Sequence, residues 1–283
     1  MLTFFRWTFR LLFLLIVIAG AFFIHVWYFK PAKIDWFYGR MFGQVALDSP
    51  QMLSSMRILP PWADFYSDKL DDSSPAREEE MSQRLKDGAA TLASYDRSKL
   101  DDKGRLSYDV LEYFMKMQLE GDRFRHYNYL VNQMFGVQSS LPDFMVQQHQ
   151  VNSAKDARNY IRRLDAFREK FSQVIDGLKL REAANIIPPQ FTVEAVIEQM
   201  RNFVVPPANE NILYPSLREK LDKLPDGEVS ASDREDLLKR TEASIEGYVY
   251  PAYRDLTAYF QALQPKAQGN YGAWHLPDGD AYY

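Results

Sequence analysis

Cysteine is absent from the 283 residues. That excludes disulfides, zinc–thiolate centres and a cysteine nucleophile, and it leaves the redox compartment unmarked. Histidine is scarce, limited to His25, His126, His149 and His275. No two of them stand four apart around a glutamate, so a zinc site of the His-Glu-x-x-His type is excluded. The thirteen glycines are scattered and build neither a Walker loop nor a Gly-x-Ser-x-Gly elbow. Strand signals are equally thin. No run alternates strictly for more than a few residues, and no Asn-Gly or Asp-Gly is flanked by alternating segments.

What is present is ordinary globular material, with 46% apolar, 14% aromatic and 25% charged residues, enough to rule out disorder by composition. The net charge of -4 hides an asymmetry. The first 33 residues carry Arg6, Arg10, Lys30 and Lys33 and no acid, which leaves -8 on the rest. An acidic body repels phosphate backbones, so no nucleic-acid partner is expected.

Leu11 to Phe29 is an apolar run interrupted only by His25. As a helix it spans roughly 28 Å, close to the hydrocarbon thickness of a bilayer. Trp7 at one end and Trp27 and Tyr28 at the other sit where interfacial aromatics belong, and Pro31 discourages continuation. Ala19-Gly20-Ala21 offers the small residues of a signal-peptidase site, but the apolar run continues beyond it to Phe29. Length and flanks favour a retained anchor over a cleaved signal. The expected organisation is a cytoplasmic tail and transmembrane anchor over residues 1–33 and a helical domain over residues 34–283. The lipid bilayer is the partner through Leu11 to Phe29. The positive-inside rule, on Arg6 and Arg10 against Lys30 and Lys33, places a single-pass protein in the inner membrane with its body external or periplasmic.

The body reads as all-α. Ala157, Tyr160, Ile161, Leu164, Phe171, Val174, Ile175 and Leu178 recur at three- and four-residue steps and predict one helix, capped by Ser153. Val193 to Val204 repeats the pattern between Pro188-Pro189 and Pro206-Pro207. Ser232 with Glu235 is a second capping signal, ahead of a long stripe from Leu238 to Leu263 that Pro251 should kink or split. Ser74 caps a helix with Pro75 at its first position, and Ser107 opens another. Asp71–Pro75 and Pro225–Ser230 are the clearest loops.

Reactive constellations are few. Asp71-Asp72 and Asp101-Asp102 read as solvated loops or as compensation of a helix dipole. Arg162-Arg163 reads as a solvated face, and His126 as a structural histidine. A polar cluster remains, comprising Asn132, Gln133, Gln138, Gln147, Gln148, His149 and Gln150 around Gly136 and Pro142. Two readings stand for it. The amides and imidazole could line a cleft that binds peptide backbone, or they could cap helix ends and satisfy a buried turn.

The tail is Gly272-Ala273-Trp274-His275-Leu276-Pro277-Asp278-Gly279-Asp280-Ala281-Tyr282-Tyr283. A Pro-Asp-Gly turn is followed by a capable N-cap, Asp280, and then by two aromatics, as though another helix should begin; the expectation is an interrupted chain. This segment resembles the Gly-x-Trp-x-Leu-Pro-Asp-Gly-x-x-Tyr-Tyr motif of the bacterial domain of unknown function 885 family. Leu70–Pro75, Tyr129–Gln133 with Gly136–Ser139, and Val249–Tyr253 match in the same order. Members of that family are about twice as long and resemble helical zinc metallopeptidases of the gluzincin type, with the zinc ligands in the C-terminal half. The resemblance therefore implies a multi-helix bundle like the N-terminal half of such an enzyme, forming one wall of a substrate channel with a peptide as its substrate. It carries no catalytic or metal residue onto this chain, and zinc is expected only with the missing half. Asn132, Gln133, Gln138, His149 and Tyr282 are the candidate cleft-lining residues. The alternative is a non-catalytic, membrane-anchored binding or scaffold protein.

Overall fold

The computed structural model describes residues 2–267 and 272–283, without the side chains of residues 2–5 and 61. Among the described residues every regular element is a helix. In chain order these are α1 (Leu2–Tyr28), α2 (Ile34–Asp48), α3 (Pro50–Met56), α4 (Pro75–Ala93), α5 (Asp102–Gly121), α6 (Val137–Asp143) and α7 (Ala154–Asp165). They are followed by α8 (Phe167–Ala183), α9 (Gln190–Phe203), α10 (Leu213–Asp222), α11 (Ala231–Ser244), α12 (Tyr250–Leu263) and α13 (Gly279–Tyr282). The all-α bundle behind one apolar N-terminal helix is the architecture expected from the periodicity. The chain divides into two units, Met1–Leu47 with Ser82–Glu120, and Asp48–Met81 with Gly121–Tyr283.

In the first unit, Arg6–Tyr28 of α1 is long and apolar enough to cross a membrane, and none of it is buried. The end of this helix is held by the residues that follow. A helix leaves its last carbonyls without intrahelical donors and concentrates negative potential there. Arg40 answers both needs, donating from Nη1 to Phe29 O at 2.7 Å and to Val26 O and Trp27 O at 3.4 Å. Lys30 donates to Ser94 O at 2.7 Å, and the Tyr95 hydroxyl to Pro31 O at 2.6 Å. A small core of Ile34, Phe37, Leu92, Tyr108 and Met115 joins α2, α4 and α5. Helix α5 begins at Asp102, earlier than Ser107 suggests, because Asp101 Oδ1 accepts from the Gly104 N–H at 2.7 Å and caps it. Its outer face is also apolar: Leu106, Val110, Tyr113, Phe114 and Met117 recur at helical spacing and are all exposed.

The second unit holds the larger core. Phe203 stacks on Tyr253 with ring centroids 4.1 Å apart, and Tyr253 meets Phe171 at 4.9 Å, which joins α8, α9 and α12. The helix expected from Ala157 to Leu178 is two helices. At Ala166 the backbone turns to φ -77°, ψ -7°, and the break carries Phe167 into the core against Phe171. Ser153 caps α7 as expected, accepting from Asp156 N at 3.2 Å, and Ser74 Oγ accepts from Arg77 N at 3.2 Å at the start of α4. The cap of α11 is Ser230, which accepts from Asp233 N at 3.1 Å; the Ser232–Glu235 pair lies inside the helix.

Pro142 and Pro251 each lie in a helical stretch beside a wider π turn. Ile245–Val249 precedes Pro251, and Phe144–Gln148 follows Pro142. Proline supplies no N–H, and its ring crowds the carbonyl four residues back; at Pro251 that carbonyl belongs to Gly247, inside the wide turn, which relieves the crowding. Pro142 also leaves the Gln138 carbonyl without its usual donor. The buried Tyr253 hydroxyl replaces it at 2.6 Å.

Phe171→Ala should destabilise the chain by roughly 3–5 kcal/mol, whereas Leu106→Ala on the exposed stripe should cost less than about 0.5 kcal/mol. Denaturant unfolding of the detergent-solubilised chain, followed by far-UV circular dichroism, measures both.

Candidate functional site

The segment from Pro50 to Ser74 contains only α3 and one short 3-10 turn. Its backbone polar groups therefore need partners from elsewhere. Arg163 of α7 supplies them from a fully buried position. Nε donates to Lys69 O at 2.8 Å, Nη1 to Ser54 Oγ at 3.0 Å, and Nη2 to Pro50 O and Tyr66 O at 3.4 and 3.3 Å. The second Nη1 proton goes to His149 Nδ1 at 2.7 Å. A guanidinium has five N–H donors, and each has an acceptor here. The ring of Phe144 lies 4.9 Å from its centre. Burial lowers the Arg163 pKa to about 10, which leaves it charged at neutral pH.

His149 is fixed by both ring nitrogens. Nδ1 accepts from Arg163, so Nε2 carries the proton and donates to Asp156 O at 3.2 Å. Burial, followed by the adjacent Arg163 charge, lowers its pKa to about 3. Lys220 donates to Met145 O and His149 O at 2.6 and 2.7 Å, closing the end of the π turn, and burial lowers its pKa to about 8. Asp71 is held rather than solvated: it accepts from Ser49 Oγ at 2.8 Å and from Gln51 N at 2.9 Å, while Lys170 donates to its carbonyl at 2.6 Å. Arg162 is exposed, but Arg163 is not. The solvated-face reading fails for Arg163 because it falls three residues after the buried Tyr160, on the apolar side of α7. That phase was the available signal for it.

The candidate cleft residues fall into three places. Asn132 Oδ1 accepts from Met134 N and Phe135 N at 2.9 and 2.8 Å, and its own N–H donates to Phe135 O at 2.8 Å, a tight side-chain-closed turn. Gln138 Nε2 donates to Asn132 O at 2.8 Å, and Gln199 Nε2 to Gln133 O at 2.9 Å. Asn132, Gln133 and Gln138 therefore share one polar turn between α6 and α9. Gly136 makes it possible. Its φ is 143°, and a Cβ there would lie 2.3 Å from Gln138 Oε1 and 2.9 Å from Val131 Cα. The turn presents Met134 and Phe135 to solvent. His149 belongs to the separate Arg163 cluster. Tyr282 belongs to a third, stacking on Tyr127 at 5.2 Å and meeting Phe124 at 5.5 Å. In the tail Leu276 is buried while Trp274, Tyr282 and Tyr283 are exposed, and the residue at the N-cap of α13 is Asp278 rather than Asp280.

His126 is half-buried, with Nδ1 3.4 Å from Glu78 Oε2, and Arg181 donates to Glu78 Oε1 and Asn128 Oδ1 at 3.1 and 2.8 Å. Burial, followed by Arg181, lowers the His126 pKa. Among the described residues no three of His, Cys, Asp or Glu converge in a way that could hold a metal ion.

The profile of the family described as "Bacterial protein of unknown function (DUF885)" matches residues 50–283. The chain belongs to that family. No curated protein matches this DUF885 chain. A solved structure described as "the putative lipoprotein from Colwellia psychrerythraea" superimposes with a TM-score of 0.72 at 19% identity, over 86% of this chain and 44% of that one. The DUF885 chain thus spans less than half the length of its structural neighbour, and at this identity the likeness shows the fold alone. Two of the family-like segments meet directly, as Tyr253 of Val249–Tyr253 donates to Gln138 of Gly136–Ser139.

Arg163→Met should cost roughly 3–5 kcal/mol, because it strips buried acceptors of their donor. The folded-state pKa of His149 lies below its unfolded value near 6.5. Unfolding therefore takes up a proton in acid. Stability should fall from about pH 6.5 down toward 3, by at most ~1.4 kcal/mol per pH unit from this group. His149→Gln should flatten that slope above pH 5 in denaturant melts taken at a series of pH values.

Proposed function

We propose that this DUF885 chain is the membrane-anchored, N-terminal part of a zinc-metallopeptidase-like protein. In this reading α1 stays in the inner membrane with the body outside. The helical domain supplies a wall of a substrate channel, and the zinc ligands and reactive groups come from the remainder of the protein. Family membership over residues 50–283 carries the reading, joined to the expectation from the sequence motifs that such chains are like helical zinc peptidases. Three further observations support it. The structural neighbour is more than twice the matched length. The outer face of α5 carries five exposed apolar residues of the kind that further protein covers. The description of the neighbour as a lipoprotein fits membrane attachment. The hydrogen bonds from Arg40 to the carbonyls of Val26, Trp27 and Phe29 make the end of α1 part of the folded unit, which favours an anchor that is kept.

A second reading is an anchored, non-catalytic binding or scaffold protein. It is favoured by the way the polar cluster is spent internally: Asn132, Gln138 and His149 each bond to their own chain.

One experiment separates the two. An antibody raised against the body is used to recover the native protein from washed membranes. The peptidase reading expects a species about twice the mass of the present chain, with zinc bound and chelator-sensitive hydrolysis of peptides. A membrane species of the present mass, without zinc and inert toward peptides, would leave the scaffold. Recovery in the soluble fraction, with an N-terminus at Phe22, would refute the anchor in both.

A further inference from the structure

Helix α2 has two faces of different character. Ile34, Phe37 and Met41 turn into the small core with Leu92 and Met115. Trp36, Gly39, Gly43 and Leu47 recur at steps of three and four residues on the other side, without a charge among them. That second face lies against α1. The Trp36 ring meets Phe22 edge-on at 4.9 Å, and a Cβ on Gly43 would touch the Trp27 ring at 3.5 Å. Between these contacts Arg40 reaches the terminal carbonyls of α1.

The depth of these contacts decides what the rest of the face meets. Phe22 and Trp27 both lie within the apolar stretch Arg6–Tyr28. Phe22 is six residues before its end, or ~9 Å along the helix axis. A side chain packed on Phe22 is therefore below the plane where α1 leaves the hydrocarbon. Helix α1 covers only part of the face: Leu47 is exposed, and the space at Gly39 is open. The exposed Lys33 sits over Trp36 at 5.6 Å, an amphipathic pair suited to the boundary between acyl chains and headgroups.

We infer that α2 is a second membrane-contacting element, lying in the headgroup–acyl boundary with Trp36, Gly39 and Leu47 toward lipid. This rests on the reading of α1 as a retained anchor. It adds that the body does not hang from a flexible tether: its first helix is seated in the bilayer surface at the ~5–10 Å depth of interfacial helices. The occupant of the free part of the face is phospholipid, because the covered part already packs on a lipid-spanning helix.

The chain has no cysteine, so single reporters can be placed in the full-length protein. Gly39→Cys and Leu47→Cys both have room for the new side chain. Val17→Cys in mid-α1 and Tyr113→Cys on the outer face of α5 are the references. Each is labelled with an environment-sensitive fluorophore and reconstituted in phosphatidylcholine–phosphatidylglycerol vesicles. Quenching is read from lipids carrying a nitroxide high on the acyl chain, and separately from aqueous iodide. The expected result is lipid quenching at positions 39 and 47 at least about two-fold above that at 113, with weak iodide quenching, as for an interfacial helix. If 39 and 47 behave like 113 while 17 is still quenched by lipid, α2 is off the membrane and the inference fails with the anchor intact. Shielding of 39 and 47 from both quenchers would put a protein there instead and would also overturn it. Loss of lipid quenching at 17 would refute the anchor itself, and this inference with it.

Discussion

The second unit depends on one buried cation. Arg163 sits where no water reaches it, and no carboxylate pairs with it directly; its five protons go to three backbone carbonyls, a serine hydroxyl and an imidazole. Burying a charge is costly unless every donor is used, because the group gives up its hydration in full. Here each donor is used, and the acceptors come from a segment that has little helix of its own. The same side chain therefore settles its own desolvation and gives Pro50–Lys69 its path. Lys170 and Lys220 repeat the device on a smaller scale, Lys170 ending on Asp71 O and Ser73 Oγ and Lys220 on Met145 O and His149 O. His149 follows from this arrangement. Beside a permanent cation it is kept neutral, with a single possible tautomer, so it serves as an acceptor in the core rather than as a proton carrier.

Proline sets the second constraint. Pro142 and Pro251 interrupt the hydrogen-bond ladder of helices that nonetheless continue, and the break at Pro251 is absorbed by a π turn. At Pro142 the freed carbonyl is taken by Tyr253 from α12. That bond joins two helices through a local defect and brings together two of the family-like segments. In this fold the Tyr253 hydroxyl repairs what Pro142 leaves open.

Sequence reading carried furthest where local rules act alone. The apolar length of α1, the Ser153 and Ser74 caps and the absence of strands among the described residues all follow from spacing and from the chemistry of the first helical turn. The reading failed where partners distant in sequence decide. Two adjacent arginines look solvated, yet the phase of Arg163 on α7 matches the apolar side and it is buried. The expected helix across Ala166 broke because Phe167 gains burial by the turn. The candidate cleft residues divided because hydrogen bonds reaching across the fold, from Arg163 to His149 and from Gln199 to Gln133, assign each to its own cluster.

The sequence by itself determined an all-helical chain behind an apolar segment of membrane-crossing length, and its membership of a family through a handful of ordered motifs. These follow from properties each residue carries wherever it is placed: hydropathy, helical period and the missing N–H of proline. Only the tertiary structure decided which polar residues are spent on the fold. Asn132, Gln138 and His149 read as candidate cleft groups and Arg163 as a solvated one in one dimension, and a partner brought near by folding takes up each of them. It also decided that α2 lies along the end of α1, since Arg40, Trp36 and Gly43 acquire that meaning only when Phe29, Phe22 and Trp27 come to lie beside them.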